Sequence, residues 1–253
     1  MTNPNGVILY EGPSQLDGAP IVVIAVGLKQ GSTNSKTGAM IQTYILRRDV
    51  SPIDAVKQGA DESICGNCPH RGDGTGKSRS CYVTLMHGPR GVYLAYQNGR
   101  YGAPVDPMWL KGNMIFKDRM VRLGTYGDPA AVPQEIWTRA LRGAKGWTGY
   151  THQWRTVDPS WAKLCMASVD SEAEMHAAHL LGYRTFRVTP VGETAIRGKE
   201  VVCPASEEAG KKTTCIECRA CMGTSAKARV SIQIAAHGVG KRNVVAPAPA
   251  AQV

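Results

Sequence analysis

Cys203, Cys215, Cys218 and Cys221 fall in one stretch near the C-terminus, and the last three read Cys-x2-Cys-x2-Cys. Gaps of two residues let several thiolates converge on one metal ion or cluster, and few other uses of cysteine need that spacing. A second group lies far upstream, with Cys65, Cys68 and Cys81 and with His70 between them. Seven of the eight cysteines therefore sit at ligand-like spacings. Each group holds a cysteine followed by proline, Cys203-Pro204 and Cys68-Pro69, which removes a backbone donor beside the sulfur. In the upstream group three thiolates and the His70 imidazole would make a familiar zinc set. Cys165 is the other candidate for the fourth ligand, although a cysteine in an apolar segment also packs well as a small core residue.

The C-terminal pattern resembles the ligation of a ferredoxin-type [4Fe-4S] cluster, in which four thiolates cage a cube-shaped core. It departs from that family in order, because the Cys-Pro precedes the run here and follows it in ferredoxins. The same spacing is similar to the structural zinc lobe of medium-chain alcohol dehydrogenases, so zinc is the alternative cofactor. The upstream group is expected to hold a second metal, as zinc or as an iron–sulfur centre. The radical S-adenosylmethionine signature, Cys-x3-Cys-x2-Cys, is absent.

Other motifs are weaker. Residues 72–78, Gly-Asp-Gly-Thr-Gly-Lys-Ser, end like a phosphate-binding loop. That motif needs a glycine where Arg71 stands, a strand before it and a helix after it, so a basic loop is the better reading. Asp128, His152 and Asp170, with Tyr126, are the acid–base candidates, because each follows a predicted strand. The plainer reading makes Asp128-Pro129 a turn and Asp170-Ser171 a helix N-cap. His176 and His179 share a helix face, and His237 ends the last predicted strand. Trp137, Trp147, Trp154 and Trp161 read as packing in a chain with only two Phe.

The elements that must position these residues follow from periodicity and punctuation. Residues 21–26 form a continuous apolar run suited to a buried strand, and residues 40–46 a second. Ser51-Pro52 with Asp54 marks a helix start, which Gly59 ends. Residues 82–85 read as a short strand and 89–98 as a helix. Strands and helices then alternate: strand 120–123, helix 133–142, strand 146–150, strand 164–169, helix 172–181, strands 184–188, 200–202 and 229–235. This alternation predicts an α/β fold with a parallel sheet, (β/α) barrel-like and allowed to be incomplete, carrying cysteine-rich metal-binding loops. An open doubly wound sheet is the alternative. The expected organisation is a single α/β domain over 1–245, with a metal-site insert at 61–82, a metal-site segment at 200–225 and a disordered tail at 246–253.

The apolar fraction of 43% and the charged fraction of 20% fit a globular chain, and no apolar run is long enough to span a bilayer. The first residues lack the basic and apolar regions of a signal peptide, so the expectation is a cytoplasmic protein with no membrane partner. There, paired cysteine spacings favour metal over disulfide. The net charge of +10 suggests nucleic acid as a partner, and nine Lys or Arg face four acids between Ile196 and Asn243.

Three segments, Cys65-Gly66-Asn67-Cys68-Pro69-His70-Arg71, Cys81-Tyr82-Val83 and Arg122-Leu123-Gly124-Thr125-Tyr126-Gly127-Asp128-Pro129, resemble those of uncharacterised cysteine-rich proteins of bacteriophages and plasmids. The resemblance covers most of the chain and implies a mobile-element origin without an activity. The functional expectation is an iron–sulfur protein, as a redox or radical-type enzyme working at the C-terminal face of a barrel on a substrate the sequence does not name. The alternative is a zinc-stabilised nucleic-acid-binding protein of phage or plasmid replication or regulation.

Overall fold

The apolar run near the N-terminus becomes a central strand, with Ile21 to Ala25 fully buried. A computed structural model describes residues 5–244 except 76, 211, 226, 227 and 229. The tail at 246–253 lies outside the described residues, as do Gly76 of the glycine-rich loop and Lys211, Lys227 and Arg229 of the basic stretch.

The strands are β1 (Gly6–Pro13), β2 (Pro20–Val26), β3 (Ile41–Arg47), β4 (Met120–Tyr126), β5 (Gly146–Thr148), β6 (Tyr150–Thr151), β7 (Met166–Val169), β8 (Thr185–Thr189), β9 (Glu200–Val202) and β10 (Ser231–Ala235). The helices are α1 (Pro52–Gln58), α2 (Glu62–Cys65), α3 (Gly88–Gln97), α4 (Pro107–Gly112), α5 (Gln134–Ala140), α6 (Glu172–Leu180) and α7 (Cys215–Cys218). Two five-stranded sheets result, ordered β1-β2-β3-β4-β5 and β6-β7-β8-β10-β9. The second is wholly parallel, and the first is antiparallel only at β1-β2-β3. The fold is therefore mixed α/β with mostly parallel sheets. Among the described residues no ladder joins β9 to β1, so the sheets stay open at that side.

Gly149 alone separates β5 from β6 and ties the two sheets together. Its N–H donates to the Cys221 carbonyl and its own carbonyl accepts from Met166 N–H. A side chain there would meet Cys165 Sγ at 2.9 Å, so the seam needs glycine. One apolar core runs through both sheets, from Ile8 in β1 to Tyr183 before β8. A smaller cluster of Met166, Ile232 and Ile234 packs on Cys203 and Cys221.

Local signals were realised where the sequence was explicit. Ser51 caps α1 by accepting from Asp54 N–H, and Gly59 ends it in the left-handed conformation at φ 73°. Several features differ from expectation, among them the strand expected over 146–150, which Gly149 divides between the two sheets. β1 lies ahead of the first strand expected from the sequence, and its Gly12 and Pro13 are tolerated because it is an edge strand. Residues 82–85 are irregular and are held by Arg79, which donates to the carbonyls of Cys81 and Val83. β4 runs on to Tyr126 through Gly124 at φ 59°, where a turn was expected. Thr43 Oγ1 accepts from Gly124 N–H and donates to the Arg122 carbonyl, which pins this kink where the β3–β4 register shifts.

Candidate metal centre

The upstream cysteines are set by a folded loop. α2 ends in Cys65, Gly66 turns at φ 57°, and a short 3-10 turn over Pro69–Arg71 follows Cys68. The chain then loops out and returns so that Ser80 and Cys81 N–H groups both donate to the His70 carbonyl. That closure brings Cys81 back to the knuckle. Arg71 braces it from within, donating to Gly66 O, Gly59 O and the buried Asp61. Gln153, just past β6, donates to Cys65 O and fixes the loop to the end of the sheet.

The C-terminal cysteines ride on a loop that leaves β9 and crosses to the first sheet. Cys203 N–H donates to Gln233 O in β10. Thr214 and Glu217 form a capping box on the single turn of α7, and Arg219 closes it in the left-handed conformation at φ 55°. Cys215 N–H donates to Lys36 O, in the loop between β2 and β3. Arg184 holds the exit of this loop, donating to the carbonyls of Ala220 and Met222 on either side of Cys221 and to Val230 O.

The two loops face one another across a cavity of about 370 Å³. Cys65, Cys68 and Cys81 border one side and Cys203, Cys215 and Cys221 the other. β4, β5, β6, β7, β8 and β10 supply its floor, and Arg122, Tyr126, His152 and His237 project to its wall. Cys218 is not part of the lining. Cys165 is fully buried in the main core beside Gly149, away from this cavity.

Burial pushes the Cys65 and Cys68 thiols well above their ordinary range, and neighbouring thiols add to it. Burial also takes Cys221 up to about 12. Cys203 and Cys215 are raised by burial too, while Lys36, and for Cys215 also Arg122, pull in the opposite direction. Burial thus disfavours the thiolate forms of Cys65, Cys68, Cys203, Cys215 and Cys221, and a bound cation would favour them. Arg122 is a half-buried cation whose guanidinium donates to the Tyr82 hydroxyl, while its Nε has no partner.

Asp128, His152 and Asp170 come together at the C-terminal ends of β4, β6 and β7. His152 N–H donates to Asp128 Oδ2 at 2.8 Å, and His152 Nε2 stands 4.0 Å from Asp170 Oδ2. Asp128 also caps the turn at Pro129–Ala131, accepting from Ala130 N–H, so the turn reading holds alongside its place at the site. Burial raises its carboxyl to about 6 against the hydrogen bonds that favour the charge. Burial lowers His152 to about 4, with Asp170 opposing and His70 assisting. Ser171 caps α6, which leaves the Asp170 carboxylate free to turn inward. Burial works to raise Asp170, yet His70 and His152 bring it below the ordinary carboxylate value.

Both ring nitrogens of His70 have neighbours other than the cysteines. Its Nδ1 shares a 2.8 Å hydrogen bond with Ser80 Oγ, and its Nε2 lies 3.0 Å from Asp170 Oδ1. Among the described residues, His70, His152 and Asp170 are the one group of three donors that all lie within 4.8 Å of one another. The spacing of Cys65 and Cys68 hid this, because adjacency in the sequence drew His70 to the cysteines.

The remaining candidates have structural partners. His176 pairs with Glu172 and Lys199, and His179 with Ser231. His237 stacks on Tyr82 with ring centroids 5.0 Å apart. Trp137, Trp154 and Trp161 are buried, and Trp147 donates to Leu164 O. Several arginines behind the net charge act internally: Arg187 pairs with Glu200, Arg71 with Asp61, and Arg119 donates to three backbone carbonyls. No helix of the described residues is long and apolar enough to cross a membrane.

No protein family, no curated protein and no solved structure matches this chain.

Proposed function

We propose that this chain is an iron–sulfur enzyme in which Cys203, Cys215, Cys218 and Cys221 hold a [4Fe-4S] cluster at the wall of the central cavity. One observation carries the reading: three cysteines from each group, the two imidazoles of His70 and His152, and Arg122 border the same cavity of about 370 Å³. That cavity opens where parallel strands end, the side on which α/β folds gather their chemistry. Such a cluster supplies single-electron transfer.

The donors fit a cluster better than a structural zinc. Four thiolates on one zinc at about 2.3 Å stand only about 3.8 Å apart. No three cysteine sulfurs come within 4.8 Å of one another among the described residues. Lys36 and Arg122 favour thiolate charge, as an anionic cluster requires. Cys65, Cys68 and Cys81 form a second soft-metal position on the facing side. The substrate is a small molecule that enters between the two, and Arg122 is suited to an anionic group on it.

Anaerobic purification with iron, sulfide and zinc analysis tests the reading. The expected result is a brown protein with broad visible absorption and about four irons and four sulfides per chain. Cys215→Ser should lose that absorption. A colourless protein holding stoichiometric zinc without sulfide would overturn the proposal.

A further inference from the structure

His70, His152 and Asp170 come from three separate parts of the chain, the upstream loop, the end of β6 and the end of β7, yet their donor atoms converge. We propose that they bind a divalent first-row transition-metal ion through these three side chains and no thiolate, although Cys68 Sγ stands 3.9 Å from His152 Nε2, with open coordination positions toward the cavity.

The spacing suits an ion. Two ligands at about 2.1 Å from a metal stand about 3.0 Å apart at right angles and about 3.4 Å apart at the tetrahedral angle. His70 Nε2 to Asp170 Oδ1 is 3.0 Å, and His152 Nε2 to Asp170 Oδ2 is 4.0 Å. A small inward movement of His152 completes the set.

The second observation is independent of spacing. His70 Nε2 and Asp170 Oδ1 are shut off from solvent and neither makes an aligned hydrogen bond, although they face each other. Buried polar atoms are rarely left so, because an unmade bond there costs about 1–3 kcal/mol. A simple His–Asp ion pair would align its N–H with the carboxylate. A metal ion bound between them would supply the partner that both atoms lack.

The surroundings are those of ligands held in place. The Ser80 hydroxyl engages His70 Nδ1, which leaves Nε2 as the coordinating nitrogen. Asp128 anchors the backbone of His152, and Ser171 takes the capping role that would otherwise occupy Asp170. Two imidazoles and one carboxylate select a borderline divalent ion such as zinc or ferrous iron over magnesium or calcium. His70 and His152 both line the cavity, so the remaining positions face it. Three protein ligands with a free position are the arrangement of catalytic rather than structural sites.

Cobalt(II) titration of the full metal-stripped chain tests this. The expected result includes one equivalent with weak ligand-field absorption and no sulfur-to-cobalt charge-transfer band. Asp170→Asn, His152→Gln and His70→Gln should each weaken that equivalent by at least about tenfold, with circular dichroism unchanged. Asp170→Glu should retain part of it, and Cys215→Ser all of it. Unchanged cobalt affinity in folded His152→Gln and Asp170→Asn chains would overturn the proposal. So would a charge-transfer band on every bound equivalent. Because the C-terminal cluster is read by sulfide content and by Cys215→Ser, its failure and the failure of this site are separable.

Discussion

Cys215 N–H donates a 2.8 Å hydrogen bond to the carbonyl of Lys36, so the C-terminal cysteine loop is laced to the first sheet although it leaves from the second. Ile216 also packs close to Gly38 in the same β2–β3 loop. The loop is thus a wall of the cavity joined at both ends.

Arg184 secures the far end of that wall. Its guanidinium is the donor for the carbonyls of Ala220 and Met222 on either side of Cys221 and of Val230. Arg184→Ala should cost about 2–4 kcal/mol in urea unfolding, since charged hydrogen bonds contribute about 1.5–3 kcal/mol and the carbonyls are left unpaired. Metal content should fall with it. Arg184→Lys should rescue little, because an ammonium cannot span the three acceptors. Wild-type stability in Arg184→Ala would contradict this role.

Arg187 and Glu200 form an ion pair at 2.8 Å whose side chains are 3% and 0% exposed. Removing one partner strands a buried charge, so Arg187→Met or Glu200→Gln should each cost about 3–5 kcal/mol. Arg187→Met with Glu200→Leu together should cost less than either alone. Additive losses in that double-mutant cycle would rule out the pairing as the source.

Gly149→Ala inserts a methyl group between the sheets, 2.9 Å from Cys165 Sγ and 3.1 Å from Leu164 O. Overpacking of this kind costs about 1–3 kcal/mol. Adding Cys165→Ala should recover part of the loss, since it removes the sulfur but not the carbonyl. Equal stability of the single and double variants would show that the sulfur is not the obstacle.

Metal removal should loosen the wall rather than the sheets. Chelation is expected to lower the thermal midpoint and to expose backbone amides of residues 203–224 to hydrogen exchange, while β2 and β3 stay protected. The core strands bury Ile21 to Ala25 fully and owe nothing to the cysteines. Uniform loss of protection across the chain would contradict this division.

Much of the architecture was legible from local pattern. The apolar run of β2, the Ser51 cap and Gly59 stop of α1, and the Ser171 cap of α6 are decided within a few residues, so the sequence states them directly. β1 was not legible, because edge pairing lets a strand carry Gly12 and Pro13. Residues 82–85 show the opposite error. Their β-branched and aromatic residues suit a strand, but Arg79 takes carbonyls that a ladder would use.

Residue types and short spacings by themselves set out the two groups of cysteines along the chain. Tertiary structure alone decided that both groups border one cavity, that Cys165 belongs to the core, and that His70 faces His152 and Asp170 rather than the neighbouring thiols. The reason is geometric. Parallel strands bring their C-terminal ends together whatever the sequence distance between them, and the direction in which His70 points is set by Ser80 and by the loop closing on its carbonyl.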